Sequence, residues 1–330
     1  MSKPPIDPVR WQPPAVRRLP APDLGRPLAI VPVPGLGPED VVVDGRGGVY
    51  TGVIGGDIIR VDAESGSHQV VGNTGGRPLG LAVARDGRLL ICDSHRGLLA
   101  MNVTTGEFET LVDAFEGRPL TFCSNVVEAS DGSVFFTEST DRFRYEHYKG
   151  AALEGRGSGS LFRLDVDGTV TRLVSGLQFA NGVTLTADES AVVFAETTGA
   201  RVSKFWLTGP GAGTVTPLAD ELPGYPDNIS TGPDGRIWVA MVSDRNAVVE
   251  RLATKAPILR KLLWRLPYGW LPDVKPVVWV IAFDPDDAQV LTQLHASHSA
   301  FGSTTGVVQE GNRVWLGGIG ASAIAYFDLP

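Results

Sequence analysis

The sequence predicts an all-β fold, a six-bladed β-propeller with four-stranded antiparallel blades. Three observations favour it: a turn followed by a β-rich strand recurs six times, most recurrences lie 40 to 45 residues apart, and sustained helical periodicity is nearly absent. A unit of that length holds four strands, which is the size of one propeller blade. An all-β sandwich with similar turns is the alternative, but it gives no reason for a near-constant spacing.

Each repeat contains an Asp-Gly turn, or a relative of it, and the strand that follows. Such turns join antiparallel strands because glycine accepts a positive φ. The strands are expected to begin at Val49, Leu89, Val134, Val192, Ile237 and Val314. Two repeats are longer than the others, with insertions at about 139–160 and 242–275. Both follow strands that return to one end of the propeller, so we expect them to roof a site at that end.

The N-terminal segment differs in composition from the rest of the chain. Eleven of the 24 prolines lie between Pro4 and Pro38. This predicts an extended, polyproline-like arm at residues 1–27, ahead of a propeller domain at 28–330. The segment has no hydrophobic stretch of the kind found in signal peptides, so we expect a cytoplasmic protein.

The overall composition limits the classes of function. The 330 residues are 43% hydrophobic and 20% charged, with a net charge of −8, which is typical of a globular protein with an ample core. An acidic chain without a basic cluster is not expected to bind nucleic acid. The two cysteines, Cys92 and Cys123, exclude a disulfide framework and a cysteine metal cluster. A small-molecule partner is expected, and a monomer is the default because a closed propeller has few free strand edges.

An oxygen-bearing side chain lies about ten residues before four of the six strands. These residues are Glu39, Asn125, Asn181 and Asp227, and the matching positions in repeats two and six are Leu79 and Thr304, the latter beside Thr305. Equivalent positions at the start of each innermost strand should point at the central axis, so the oxygens should converge. Two carboxylates and two amide oxygens suit Ca²⁺, whereas Zn²⁺ prefers nitrogen or sulfur and Mg²⁺ demands tighter octahedral geometry. Taken singly, each residue is better explained by a turn, a surface position or a bond to backbone groups; taken jointly, the matched positions favour a calcium site.

Four stretches of the sequence resemble the strictosidine-synthase-like family. They are GPED (37–40), FANGVTLTADES (179–190), RVSKFWLTGPGAG (201–213) and ELPGYPDNIS (221–230). This family is grouped with gluconolactonases and paraoxonases among the calcium-dependent six-bladed propellers. The resemblance covers about residues 28–329; it implies the same four calcium ligands, and paraoxonase-like members add the residue matching Asn228.

Two departures from the family pattern bear on the expected reaction. Paraoxonase-like enzymes have a catalytic histidine where this chain has Leu79, and plant strictosidine synthase uses a glutamate near the stretch that reads Ser-Thr-Thr-Gly at 303–306. We therefore expect calcium-dependent hydrolysis of lactones or esters, in which the ion stabilises the oxyanion. A non-hydrolytic enzyme of the strictosidine-synthase type and a calcium-stabilised binding propeller without turnover remain the alternatives.

The remaining candidate site residues lie beside the ligands or on the insertions. Asp227, or a loop histidine such as His147 or His298, is expected to activate the attacking water. An apolar wall is expected from Phe122, Phe179 and Tyr225, with Leu79, Arg142, Thr304 and Asn228 as further substrate-binding candidates.

The stretch 258–270, ILRKLLWRLPYGW, is short, amphipathic and basic. One interpretation is a lid helix that packs Leu262, Leu263 and Leu266 on the propeller. The other is a contact with a membrane surface, for which the stretch has suitable residues but is too short and too charged to span.

Overall fold

The computed structural model describes residues 3–23 and 26–330 and confirms the six-bladed propeller. Each blade is a four-stranded antiparallel sheet whose first strand is innermost. The innermost strands of adjacent blades contact one another around a central channel. Every residue at the start of an innermost strand is thereby brought to the axis.

The strand bounds show how regularly the blades repeat. Blade one contains β2 Val41–Val43, β3 Gly48–Gly52, β4 Asp57–Asp62 and β5 His68–Asn73; blade two contains β6 Pro78–Val83, β7 Leu89–Asp93, β8 Gly97–Met101 and β9 Phe108–Val112. A short hairpin, β10 Ala114–Phe115 and β11 Arg118–Pro119, precedes blade three, which contains β12 Cys123–Glu128, β13 Val134–Glu138, β14 Gly159–Leu164 and β15 Val170–Leu177. Blade four contains β16 Ala180–Leu185, β17 Ala191–Glu196, β18 Arg201–Trp206 and β19 Val215–Ala219. Blade five contains β20 Gly224–Thr231, β21 Ile237–Asp244, β22 Val278–Phe283 and β23 Val290–Ala296. Blade six contains β24 Thr304–Glu310, β25 Arg313–Gly318, β26 Ala323–Asp328 and β1 Ala29–Pro32.

The ring is closed by the two ends of the chain. Strand β1 pairs antiparallel with β26, with Ala29 opposite Tyr326 and Pro32 opposite Ala323. The last blade therefore takes its outermost strand from the N-terminal part of the chain, and both ends are held in one sheet.

Hydrophobic residues lie between the blades. Six apolar clusters each join two adjacent blades, so the core is a ring of interfaces and not a single centre. The second strands are buried on both faces, as in β7 and β17, because each blade is covered by a neighbour on either side. This explains why those strands read as continuous apolar runs in the sequence.

The arm ahead of β1 follows the face that carries the insertions. Its described part, residues 3–23, contains no helix, and residues 1, 2, 24 and 25 of the predicted arm lie outside the described residues. Backbone hydrogen bonds run from the Val9 N–H to the Glu154 carbonyl and from the Trp11 N–H to the Ala253 carbonyl, at 3.0 and 3.1 Å. The arm is thus bound to both insertions.

Both insertions join the second and third strands of a blade, and together they form a roof. The first contains a 3₁₀ turn, Tyr145–His147, and α1 Lys149–Glu154; the second contains α2 Ala247–Ala253, α3 Pro257–Trp264 and a 3₁₀ turn, Tyr268–Trp270. Asn246 caps α2 by accepting hydrogen bonds from two backbone N–H groups. The roof has its own small core of Ile6, Phe143, Leu153, Trp264 and Leu271. No described helix is both long and apolar enough to cross a bilayer.

Helix α3 does not pack in the way the lid interpretation expects. Leu262 and Leu266 are 49% and 39% exposed, and only Leu263 packs partly against the roof core. Arg260 and Trp264 are buried instead. The guanidinium of Arg260 donates hydrogen bonds to the carbonyls of Leu153, Glu154, Val9 and Ala253, which offsets the cost of its burial. The inward face of the helix is therefore set by a buried arginine, and Leu259 and Leu262 are left outside.

The close approach of innermost strands generates a first prediction. A Cβ added at Gly182 would lie 2.4 Å from the backbone nitrogen of Ile229 on the next blade. We expect Gly182→Ala to lower the free energy of unfolding by about 1–3 kcal/mol or more, because neither backbone can yield without opening the ring. The matched control is Gly269→Ala, where an added Cβ meets nothing within 4 Å. Urea unfolding monitored by tryptophan fluorescence measures both variants; equal stabilities would contradict the packing described.

Candidate functional site

A β-bulge occurs at the same place on the innermost strands of blades two to six. In β16, for example, Ala180 lies opposite Glu196 and Val183 opposite Phe194, so three steps on one strand match two on its partner. The same irregularity occurs in β6, β12, β20 and β24. A bulge leaves one residue unpaired and turns its side chain away from the regular alternation. Two consecutive residues per blade can thereby face the channel, at two different depths.

The upper residue of each pair lines a single cavity of about 110 Å³. These six residues, one from each blade, are Glu39, Leu79, Ser124, Asn181, Asp227 and Thr305. We call this cavity the axial pocket. It combines two carboxylates, an amide, two hydroxyls and one apolar side chain at the end of the channel under the roof.

The lower residues form the floor of the axial pocket. They are Asp40, Gly80, Asn125, Gly182, Asn228 and Gly306, so polar residues and glycines alternate around the ring. The amide of Asn125 donates hydrogen bonds to Asp40 Oδ2 at 3.1 Å and to Asn228 Oδ1 at 3.0 Å. Asn125 Oδ1 accepts from the Val183 N–H at 3.0 Å. This network joins blades one, three, four and five beneath the pocket.

The structure departs from the predicted ligand set at Asn125. Its amide nitrogen and its oxygen are occupied by the floor network, and Ser124 faces the axial pocket in its place. Thr304 also lies outside the pocket, because its hydroxyl donates to the Val277 carbonyl and accepts from the Trp279 N–H, while Thr305 lines the pocket. The bulge is the reason in both blades, since neighbouring residues there differ in depth. For Ser124 the sequence did contain a signal, because a strict count of ten residues back from Val134 reaches it.

The other three predicted ligands are brought together. Glu39, Asn181 and Asp227 line the axial pocket and are 4–7% exposed. Ser124 Oγ donates to Asn181 Oδ1 at 3.1 Å, and the amide nitrogen of Asn181 donates to Thr197 Oγ1 at 3.1 Å. Asn181 is thus held with its oxygen toward Ser124. Asn228 belongs to the floor, one layer below Asp227.

The carboxylates at the axis have raised pKa values. Burial raises the pKa of Asp227 to about 8 and that of Asp40 to about 7. Burial, followed by the charges of Asp227 and Asp40, holds the pKa of Glu39 well above its ordinary range, against the opposing charge of Arg77. None of the three forms an ion pair within 4.0 Å in the described residues. The site therefore brings three acidic side chains together without a cationic side chain in contact with any of them.

Two carboxylate oxygens of the axial pocket have no hydrogen-bond partner. Glu39 Oε2 and Asp227 Oδ1 are both fully buried and unpaired. Orphaned buried oxygens are costly, and a bound cation is one way in which proteins compensate them. The oxygen-only set of Glu39, Asn181 and Asp227 fits Ca²⁺, with water or substrate completing the shell. No cluster of three or more His, Cys, Asp or Glu side chains suited to a metal occurs within 3–23 and 26–330, so this set depends on amide oxygen.

Aromatic side chains cover the axial pocket on one side. Phe122 contacts Phe179 and Tyr145 edge-to-face, with ring centroids 5.5 and 5.9 Å apart. Phe179 has φ of +62°, a conformation that costs a bulky residue free energy and persists only where the surroundings hold it. The ring is therefore held in place at the pocket wall.

A second cavity of about 110 Å³ adjoins the axial pocket beneath the roof. The two share Tyr148, Phe179, Thr197, Val242 and Val274, and the second is lined mainly by apolar atoms of α1, α2 and the 272–274 segment. We call it the side chamber. Tyr225, predicted at the wall, lies here; its hydroxyl donates to Glu250 Oε1 at 3.1 Å.

Three predicted residues lie outside both cavities. His147 packs its ring edge against Tyr268, and His298 is exposed, with Nδ1 accepting from the Ala300 N–H. Arg142 pairs with Glu154 at 2.7 Å and borders a shallow polar groove. Of the predicted proton acceptors, only Asp227 faces the axial pocket.

Comparison with known sequences identifies the family. The profile of the SMP-30/gluconolactonase/LRE-like region matches residues 39–263, from the first carboxylate of the pocket into α3. The chain belongs to this family. It is also 33% identical over 299 residues to the protein strictosidine synthase-like 6 of Arabidopsis thaliana, across 88% of this chain and 79% of that relative. The resemblance seen in the motifs is thereby confirmed.

Solved structures share the fold of this family member. A gluconolactonase from Xanthomonas campestris superposes with a TM-score of 0.68 at 18% identity, covering 100% of this chain and 99% of that one. A calcium-binding protein, regucalcin, from Agrobacterium tumefaciens superposes with a TM-score of 0.66 at 14% identity, over 94% and 96% of the two chains. At these identities the likeness shows the fold alone.

The two layers of the channel generate a second prediction. Asn125→Ala removes three hydrogen bonds from the buried floor and should lower the free energy of unfolding by about 2–4 kcal/mol. Ser124→Ala removes one hydrogen bond at the pocket and should cost about 1 kcal/mol. Urea unfolding in the presence of a chelator compares the two without any contribution from a bound ion. A larger loss for Ser124→Ala would mean that the assignment of the layers is reversed.

Proposed function

We propose that this chain is a calcium-dependent hydrolase of lactones or esters, acting in the axial pocket. The observation that carries the proposal is the pair of buried, unpartnered oxygens, Glu39 Oε2 and Asp227 Oδ1, of two residues that line one cavity. The matching profile and the family relationship support a lactonase-type reaction.

Glu39, Asn181 and Asp227 would hold the ion, with the Ser124 hydroxyl beside them. When bound, Ca²⁺ would supply a Lewis acid that stabilises negative charge on the carbonyl oxygen of the substrate. The two carboxylates bring a formal charge of −2, which one divalent ion neutralises. Calcium suits the set better than magnesium because it accepts irregular oxygen shells.

The pocket's own side chains divide the remaining tasks. The Asp227 carboxylate is also the group that would position and deprotonate the attacking water, since neither His147 nor His298 lines the pocket. Leu79 carries no proton and can only contribute apolar surface. Phe122 and Phe179 exclude bulk water from one side, which strengthens electrostatic interactions within the pocket.

The blade-six position bears on the main alternative. A condensing enzyme of the strictosidine-synthase type was expected to need a glutamate in this region, but the residue that faces the pocket is Thr305. A threonine hydroxyl does not replace a carboxylate as a base. This favours hydrolysis over condensation. A calcium-stabilised binding propeller remains the second alternative, which the turnover measurements below distinguish.

The side chamber indicates what kind of substrate the pocket would accept. Its lining is mainly apolar, and it shares Tyr148 and Phe179 with the wall of the axial pocket. Apolar surface of this kind favours a substrate that places a hydrocarbon or aromatic group there while its carbonyl group lies at the axis. We therefore propose esters or lactones with a bulky apolar substituent over highly hydroxylated sugar lactones.

Turnover should depend on calcium and on Glu39. Chelation should abolish cleavage of an aryl ester and added Ca²⁺ should restore it, because the carboxylates alone cannot stabilise an oxyanion. Glu39→Gln should lower kcat/KM by about 10²-fold or more, because it weakens binding of the ion that would stabilise the oxyanion, and losing one such stabilising interaction costs about that much. The matched control is Glu64→Gln, an exposed glutamate on a turn. Full activity with a chelator present, or in Glu39→Gln, would contradict the proposal.

Substrate preference should depend on the side chamber. Val249 lines the chamber, whereas its helix neighbour Val248 is 60% exposed. Val249→Trp should lower kcat/KM for a long-chain aryl ester about tenfold or more while leaving the acetyl ester little changed, because it fills the chamber and spares the axis. Val248→Trp should change neither. Equal losses for both esters in Val249→Trp would mean that the chamber does not hold the substituent.

A further inference from the structure

The roof exposes an unusual amount of apolar surface on one short segment. Among the described residues, the exposed large hydrophobic side chains are concentrated in the second insertion. Five of them are Ile258, Leu259, Leu262, Leu266 and Trp270, and the ring of Trp270 is the most open at 75% exposed. We call this set the roof patch. Apolar patches of this kind on a soluble fold mark contact sites, whereas single exposed residues do not.

The geometry of α3 concentrates these side chains on one face. Within α3, Ile258 and Leu262 are four residues apart and Leu259 lies three residues before Leu262, while Leu266 follows two residues after the helix ends. Residues at these spacings share one side of a helix. Arg260 and Trp264 occupy the opposite side, where the arginine is bound by four carbonyl groups and the tryptophan N–H donates to the Pro4 carbonyl at 2.7 Å. The outward direction of the leucines is thus fixed by buried polar bonds and is not a loose arrangement.

Exposed cationic side chains lie on the same insertion as the roof patch. Lys261 and Arg265 flank the apolar face of α3, and Arg251, Lys255 and Lys275 lie exposed on the same insertion. Lys261 contacts Asp7 of the arm at 3.3 Å. The insertion is thus locally basic in a chain whose net charge is −8. Such a contrast points to a negatively charged partner.

We propose that the roof patch binds the surface of a bilayer that contains anionic lipid. Leucine, isoleucine and tryptophan enter the boundary between headgroups and acyl chains, and the flanking lysines and arginines remain at the anionic headgroups. An exposed apolar face with lysine and arginine beside it matches this layered environment. Protein–protein interfaces, in contrast, contain less lysine than the rest of the protein surface. The short helix lies on the surface and does not span.

The roof patch lies next to the elements that line the side chamber. Helix α2 and residues 272–274, on either side of the patch in the sequence, line the side chamber. A bilayer bound at α3 would therefore lie near the elements that form the chamber wall. Apolar molecules are concentrated in the bilayer, so they would be close to the chamber. The membrane contact itself does not depend on the proposed hydrolysis and is tested separately.

Vesicle flotation tests the proposal. The intact protein is mixed with vesicles of phosphatidylcholine alone or with about 30% phosphatidylserine, at about 0.1 M salt. We expect binding to the anionic vesicles and little to the neutral ones. Leu262→Ser with Trp270→Ser should lower the bound fraction about tenfold or more, because both apolar anchors are lost. Lys255→Gln with Arg265→Gln should weaken binding to anionic vesicles, and high salt should do the same to the unmodified protein.

The control variant removes apolar surface elsewhere. Val166 and Val215 are 78% and 46% exposed on a turn and an outer strand, so Val166→Ser with Val215→Ser should leave binding unchanged. Thermal melting verifies that every variant is folded, and ester turnover, measured without lipid, verifies that the axial pocket is unaffected. Absence of binding to anionic vesicles would overturn the proposal. So would equal losses in the control, or a concentration-dependent dimer in sedimentation that only Leu262→Ser with Trp270→Ser removes, since the patch would then bind a second copy of the chain.

Discussion

The arrangement of the whole site depends on one electrostatic constraint. Glu39, Asp40 and Asp227 are buried together at the propeller axis, and none of them forms an ion pair in the described part of the chain. Asp40 is compensated by hydrogen bonds from the Val41 and Leu81 N–H groups and from Asn125. Glu39 and Asp227 each keep an oxygen without a partner. Taking such groups out of water is unfavourable unless a cation joins them, so the pocket has the properties of an ion site.

The fold satisfies this constraint through a repeated irregularity. The bulge on the innermost strands of blades two to six presents two consecutive residues to the channel, and glycine in alternate blades leaves room for the polar residue of the next blade. The pocket then gains oxygen-bearing side chains above, while the floor gains a hydrogen-bond network centred on Asn125 below. The roof closes the upper side with aromatic and apolar residues. Its own small core ties the arm to both insertions, so the chamber walls are held from outside the propeller.

Much of this arrangement follows from the sequence, and the exceptions have local causes. Asp-Gly turns at a regular spacing fix the blades, because each such turn forces two strands into a hairpin. Counting back from each strand correctly placed Glu39, Asn181 and Asp227 in the pocket. In blades three and six it selected Asn125 and Thr304, whereas the neighbouring residues face the pocket. A bulge changes by one position which residue faces the pocket, and a count of residues along the sequence does not detect it. The orientation of α3 was also missed, since hydrophobicity places leucine inside, whereas the carbonyl groups that bind Arg260 come from residues distant in the sequence.

The central claim is that the oxygens of the axial pocket bind a calcium ion. Titration calorimetry of Ca²⁺ into the chelator-treated protein measures this directly, without reference to any substrate. The account predicts saturable binding in the unmodified protein that is lost or weakened by about 10²-fold in Glu39→Gln, because that change removes one of only two carboxylates that line the pocket. Undiminished binding in Glu39→Gln, or no binding by the unmodified protein, would contradict it.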